Sequence, residues 1–198
     1  MTTSRKKTAA ALLWCSIGAI INLLGLTLPG CVLILIGALL AYRASRAGGY
    51  AVCALCVIAL FLIQTVYVVY RSYVPLPAEN ANALTSAPSI ALIFCLTGAV
   101  WFLMSGTAAV LRASGCGKMA GDCRITQALA LFYLACNAVQ YVLLGTDYFP
   151  YALMKLTFIL SPIVWLGVLV SLLLARDKLK KCREIAPETA EEMRKKLQ

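Results

Sequence analysis

Six apolar runs, separated by turns or short basic clusters, make up most of the chain. They fall at residues 9–28, 29–45, 50–70, 88–111, 125–144 and 151–175, and none carries Asp or Glu in its interior. About 20 residues at about 1.5 Å rise each span the roughly 30 Å hydrocarbon core of a bilayer. Composition points the same way: 62% of residues are hydrophobic and 13% charged, whereas soluble domains are about half apolar and about a quarter charged. The expected fold is an all-α integral membrane protein. Six transmembrane helices form three hairpins over residues 1–175, each running outward and returning, and a basic tail follows at 176–198.

The first hairpin, Thr8 to Arg46, is expected to turn at Leu28-Pro29-Gly30, with Pro29 opening the second helix. That helix is short, roughly 16 residues or about 24 Å, so it needs snorkelling arginines or a thinned bilayer. Leu28-Pro29-Gly30-Cys31 also resembles the end of a lipoprotein signal. Pro29 before the Gly, the long preceding run and the apolar run that follows Cys31 argue for a retained hairpin. Arg71 to Ala87 has the composition of a loop, as does Ala113 to Arg124. Pro162 is expected to kink the sixth helix. Pro187 to Leu197 reads as a short amphipathic helix with Glu191→Lys195 and Glu192→Lys196 pairs at i, i+4.

Six spans place both termini on one side, and the cations say which. Sixteen of the 18 Lys and Arg residues lie on the terminal side; Arg71 and Lys155 are the two on the other. By the positive-inside rule both termini face the cytoplasm, in the cell membrane. The net charge of +10 therefore reads as orientation signals, with no nucleic-acid partner expected. The basic block, with Arg176, Lys178, Lys180, Lys181 and Arg183, is expected to contact anionic lipid head groups.

An internal echo runs through the returning helices. Gly37, Arg43, Ala44 and Ser45 recur in register as Gly106, Arg112, Ala113 and Ser114. A duplicated hairpin would explain it, as would the general tendency of inward-running helices to end on an arginine.

Few motifs suggest chemistry. Ser114-Gly115-Cys116-Gly117-Lys118 looks like the end of a phosphate-binding loop, but Arg112 takes the upstream Gly position, Met119 follows the Lys, and a membrane helix precedes it. Cys53 and Cys56 have redox spacing, yet sit in an apolar run where cysteine packs as a small hydrophobe. Cys116, Cys123 and Cys182 are too scattered to specify a metal site without His, which the chain lacks. No metal or other cofactor is expected, nor is a catalytic constellation.

The polar residues inside the spans are more informative. Asn22, Gln64, Asn137, Gln140 and Ser161 all fall roughly 18–22 Å from the basic end at about 1.5 Å per residue. Polar groups in hydrocarbon need partners, so the five are expected to face the bundle interior as one layer. Trp101 and Trp165 are expected to pack inside near that layer, and tyrosines 67, 70, 73, 141, 148 and 151 to form an outer aromatic belt. The layer is either a set of interhelical hydrogen bonds or a cavity open to the outside.

The functional expectation is a non-enzymatic interaction or assembly subunit, partnered by the bilayer and by another membrane protein or a second copy. The alternative is a small carrier or channel component for an uncharged or zwitterionic solute, using the polar layer. A thiol-dependent membrane enzyme is the remote third reading.

Overall fold

A computed structural model describes residues 2–73, 81–116, 120–143 and 151–181. These form six helices: α1 (Thr2–Leu23), α2 (Thr27–Ser45), α3 (Gly48–Tyr73), α4 (Ala81–Ala113), α5 (Ala120–Leu143) and α6 (Tyr151–Lys181). The described fold is all-α. Four of its helical segments are long and apolar enough to cross a membrane: Thr27–Ser45, Gly48–Tyr73, Pro88–Ala113 and Ala152–Lys181. α1 spends its first turns on Arg5, Lys6 and Lys7, and α5 carries Gln127, Asn137 and Gln140. These polar residues lower the hydropathy of both helices.

Each helix packs against the next in sequence, and α6 also packs on α1 and α4, so the bundle closes on itself. Four of the consecutive pairs, α1–α2, α3–α4, α4–α5 and α5–α6, run antiparallel. In the first pair Asn22 lies beside Gly30 and Cys15 beside Gly37; in the α3–α4 pair Tyr50 meets Thr107 and Cys56 lies by Gly98. Gln127 meets Ser105 across α4–α5, and Thr126 meets Ser171 across α5–α6. The Arg5–Lys7 end of α1, the Arg43 end of α2, the Arg112 end of α4, the Arg124 end of α5 and the 176–181 end of α6 therefore gather on one side, while Arg71 of α3 lies at the other.

Side-chain size is distributed inside out. The buried face is rich in small residues, such as Ala11, Cys15, Ala38, Ala41, Cys53, Ala99, Ala130 and Ala175. Large apolar side chains point outward, with Phe158 82%, Leu24 72%, Val66 67% and Leu55 64% exposed. Water would penalise such a surface at about 25 cal/mol per Å², and soluble monomers rarely present so much of it contiguously. Small residues between helices and large ones outside are the pattern of bundles packed in lipid, where close backbone approach supplies the cohesion. Close approaches occur in both the α1–α2 and the α3–α4 pairs. A Cβ on Gly49 would lie 2.5 Å from the Gly106 nitrogen and 2.7 Å from the Phe102 carbonyl oxygen.

The first turn differs from the expected one. α1 ends at Leu23, and α2 begins at Thr27 with Pro29 already inside its first turn. Gly25 is the cause. It adopts φ +84°, and the Leu26 N–H reaches the Ile21 carbonyl at 3.1 Å while the Gly25 N–H reaches Asn22 at 3.0 Å. This is the paired closure that a left-handed glycine gives a helix end. α2 consequently has 19 residues, about 28 Å, and needs no thinned bilayer. Other boundaries also extend past the apolar runs: α1 starts at Thr2, α4 at Ala81 and α5 at Ala120, and α6 continues to Lys181. Residues 81–87 and 120–124, expected as loop, are helical. Residues 74–80, the turn with Asp147 and Tyr148, Lys118, Cys182, Arg183 and the expected helix at 187–197 lie outside the described residues.

The internal echo has structural counterparts. Gly37 packs on Ala11 and Cys15 of the preceding helix, and Gly106 packs on Tyr50 of its own preceding helix. Both helices then close on a left-handed residue at the matching position, Arg46 at φ 58° and Gly115 at φ 79°.

Candidate functional site

The five residues of the expected polar layer occupy different surroundings. Asn22 is buried between α1 and α2 with its carboxamide against Gly30; the Cys31 thiol is near enough to interact with it, but neither its oxygen nor its nitrogen makes a hydrogen bond of ordinary geometry. Gln64 is half-buried on α3. Asn137 is buried and returns its N–H to its own helix, donating to the Tyr133 carbonyl at 2.8 Å. Gln140 is joined across helices, its Oε1 accepting from the Thr157 hydroxyl at 3.0 Å. Ser161 lines a void of about 10 Å³ with Thr97, Tyr133 and Trp165, at the threshold for a single water. Gln140, Asn137 and Ser161 thus belong to the α4–α5–α6 side, whereas the contacts of Asn22 are with α2. Trp165 is buried, and Trp101 is half-buried with its carbonyl in use.

Most of the cross-helix hydrogen bonds lie elsewhere, nearer the basic end. The Gln127 amide nitrogen donates to the Trp101 carbonyl at 3.0 Å and to the Ser105 hydroxyl at 2.7 Å, tying α5 to α4. Thr126 and Ser171 share a hydroxyl–hydroxyl bond of 2.9 Å across α5–α6. Tyr50 and Thr107 do so at 3.2 Å across α3–α4. The Thr107 hydroxyl gives its one proton to the Leu103 carbonyl at 2.8 Å, so Tyr50 is the donor in that pair. Tyr50 is fully buried and is the largest such side chain in the core.

Sequence reasoning passed over these residues because polar groups near a span's end look like interface residues. A signal was present. Thr126, Ala130, Tyr133, Asn137 and Gln140 are spaced by four, three, four and three, the seam of a helix packed at a small crossing angle. All five are buried or half-buried along α5.

The remaining candidates separate by exposure. Cys53 is buried, and Cys56 is half-buried beside Gly98 of α4. Cys123 is buried at the start of α5; burial first, then the neighbouring Asp122 carboxylate, push its thiol up to about 11, which disfavours the reactive thiolate. Among the described residues no three of His, Cys, Asp and Glu converge on a point. In the basic block Lys178, Lys180 and Lys181 are exposed, with Lys181 paired to Asp177 at 2.8 Å. Arg176 is half-buried, and its Nε has no hydrogen-bond partner. At the opposite end the Arg71 guanidinium lies 5.8 Å from the Tyr67 ring centroid, within cation–π range.

Hydroxyls, amides and backbone carbonyls in this arrangement can lock helices together. They do not place a nucleophile beside a base. In comparisons with known proteins the chain matches no family model, no curated protein and no solved structure.

Proposed function

We propose that the chain crosses the cell membrane with all six helices, keeps both termini in the cytoplasm, and serves as a non-enzymatic interaction or assembly subunit. The observation that carries this reading is the use made of the interior polar groups. Gln127, Thr126, Ser171, Tyr50, Thr107, Gln140 and Thr157 bond to other helices. Such pairings contribute about 0.6 kcal/mol each in a membrane bundle. The void at Ser161 is too small for a solute larger than water. What the molecule offers to others is its outside: an apolar belt, and exposed lysines at positions 178, 180 and 181 that suit anionic head groups or an acidic partner. The partner is another membrane protein or a second copy.

Blue-native electrophoresis of mildly solubilised membranes tests the role. A stable species larger than the monomer, reduced when residues 176–198 are deleted, is expected. A monomer in every mild detergent refutes the subunit reading.

Asn22 supports a second reading, a carrier or channel component for an uncharged or zwitterionic solute, because its buried amide makes no hydrogen bond of ordinary geometry. Proteoliposomes holding the purified protein would then pass glycerol or a zwitterionic amino acid faster than empty vesicles, and Asn22→Leu would abolish the difference. Equal permeability eliminates this alternative.

A further inference from the structure

On the outer surface of the α1–α2 pair, a groove of about 320 Å³ opens near the basic end. Its α1 side is Lys7, Ala10, Ala11 and Trp14, and its α2 side is Leu40, Arg43 and Ala44. The spacings i, i+3, i+4, i+7 and i, i+3, i+4 put each set on one helix face. The groove is graded along its length. Lys7 and Arg43, both exposed, stand at the basic end. Ala10, Ala11 and Ala44 line it between, and Trp14 and Leu40, 44% and 41% exposed, stand at the end away from the cations. Trp14 lies seven residues, about 10 Å, below Lys7. At that depth its ring is apolar packing surface, and its N–H can reach an ester or glycerol oxygen.

Among the described residues, neither cation has an ion-pair partner. The carboxylates among the described residues are Asp122 and Asp177, and Asp177 is engaged by Lys181. Two exposed cations over an apolar slot are complementary to one class of ligand: a phosphate diester carrying net negative charge and joined to an acyl chain. We infer that this groove holds an anionic phospholipid, its phosphate between Lys7 and Arg43 and one acyl chain along Ala10, Trp14 and Leu40. The inference rests on the proposed membrane crossing. It is separate from the basic block after α6, which offers charge without a slot.

Native mass spectrometry of the purified full chain, titrated with phosphatidylglycerol or phosphatidylcholine, tests it. Tight retention of one phosphatidylglycerol is expected, with phosphatidylcholine held at least tenfold more weakly. Each cation near a membrane surface contributes about 1 kcal/mol, or about fivefold in affinity. Lys7→Gln and Arg43→Gln should each weaken phosphatidylglycerol by about that factor and the double variant by about twenty-five-fold, while Lys7→Arg retains it. Lys178→Gln with Lys180→Gln should leave this lipid bound. As a second measurement, brominated phosphatidylglycerol should quench Trp14 in a protein carrying Trp101→Phe and Trp165→Phe, and inorganic phosphate should not reverse the quenching. Equal binding of the two lipids, unchanged binding in the double variant, or displacement by inorganic phosphate overturns the assignment. Resistance of the chain to alkaline carbonate extraction, measured alongside, separates failure of this site from failure of the membrane reading.

Discussion

Gly49 and Gly106 bring two helix backbones into contact, and at that distance a single methylene is felt. Gly106→Leu has nowhere to go: a Cβ there would already lie 3.0 Å from the Tyr50 ring. Overpacking of this kind costs about 1–3 kcal/mol, so the thermal midpoint in detergent should fall clearly. Gly121→Leu, which meets open space, should leave it unchanged. The same assay separates two buried amides. Gln127→Leu removes its bonds to the Ser105 hydroxyl and the Trp101 carbonyl and should cost about 0.6–1.7 kcal/mol, the range for membrane hydrogen bonds. Asn22→Leu removes an amide that makes no hydrogen bond of ordinary geometry and should leave stability equal or higher. A marked loss at position 22 that persists in a Cys31→Ala background would mean that Asn22 is satisfied by something other than the Cys31 thiol.

For whole helices, the apolar runs revealed that segments were helical and roughly where, because lipid-length hydrophobicity is a strong and redundant signal. Helix ends were harder to read. Pro29 looked like the first turn because Pro and Gly together punctuate a chain, but Pro is tolerated in a helix's first turn, and Gly25 supplies the left-handed residue that ends α1. Gly25→Ala should therefore destabilise the α1–α2 pair by about 1–2 kcal/mol, whereas Pro29→Ala should change little; both can be read by thermal melting in detergent. The basic and polar flanks at 2–7, 120–124 and 176–181 read as loop or tail because they are hydrophilic, yet a helix that leaves the apolar region need not stop there. The candidate site was legible as polar residues in the wrong solvent. Which of them pair was not, since pairing depends on rotation about each helix axis. Asn137 and Gln140 are three residues apart on α5, yet one bonds its own backbone and the other reaches Thr157.

Across the whole molecule, size and charge act together. Small residues are concentrated inside, the surface is largely of large apolar side chains, and most cations collect at one end. In water this arrangement would aggregate; in a bilayer it sets depth and direction. The proposed topology has all six helices crossing the bilayer, with both termini in the cytoplasm. Labelling of intact cells with an impermeant maleimide, using cysteines introduced singly against the wild-type background, tests it most directly. Leu26→Cys, Asn82→Cys and Thr146→Cys should label in intact cells, and Glu188→Cys only after lysis. Labelling of Glu188→Cys in intact cells, or silence at Leu26→Cys or Thr146→Cys when Asn82→Cys reacts, would contradict the six-crossing account.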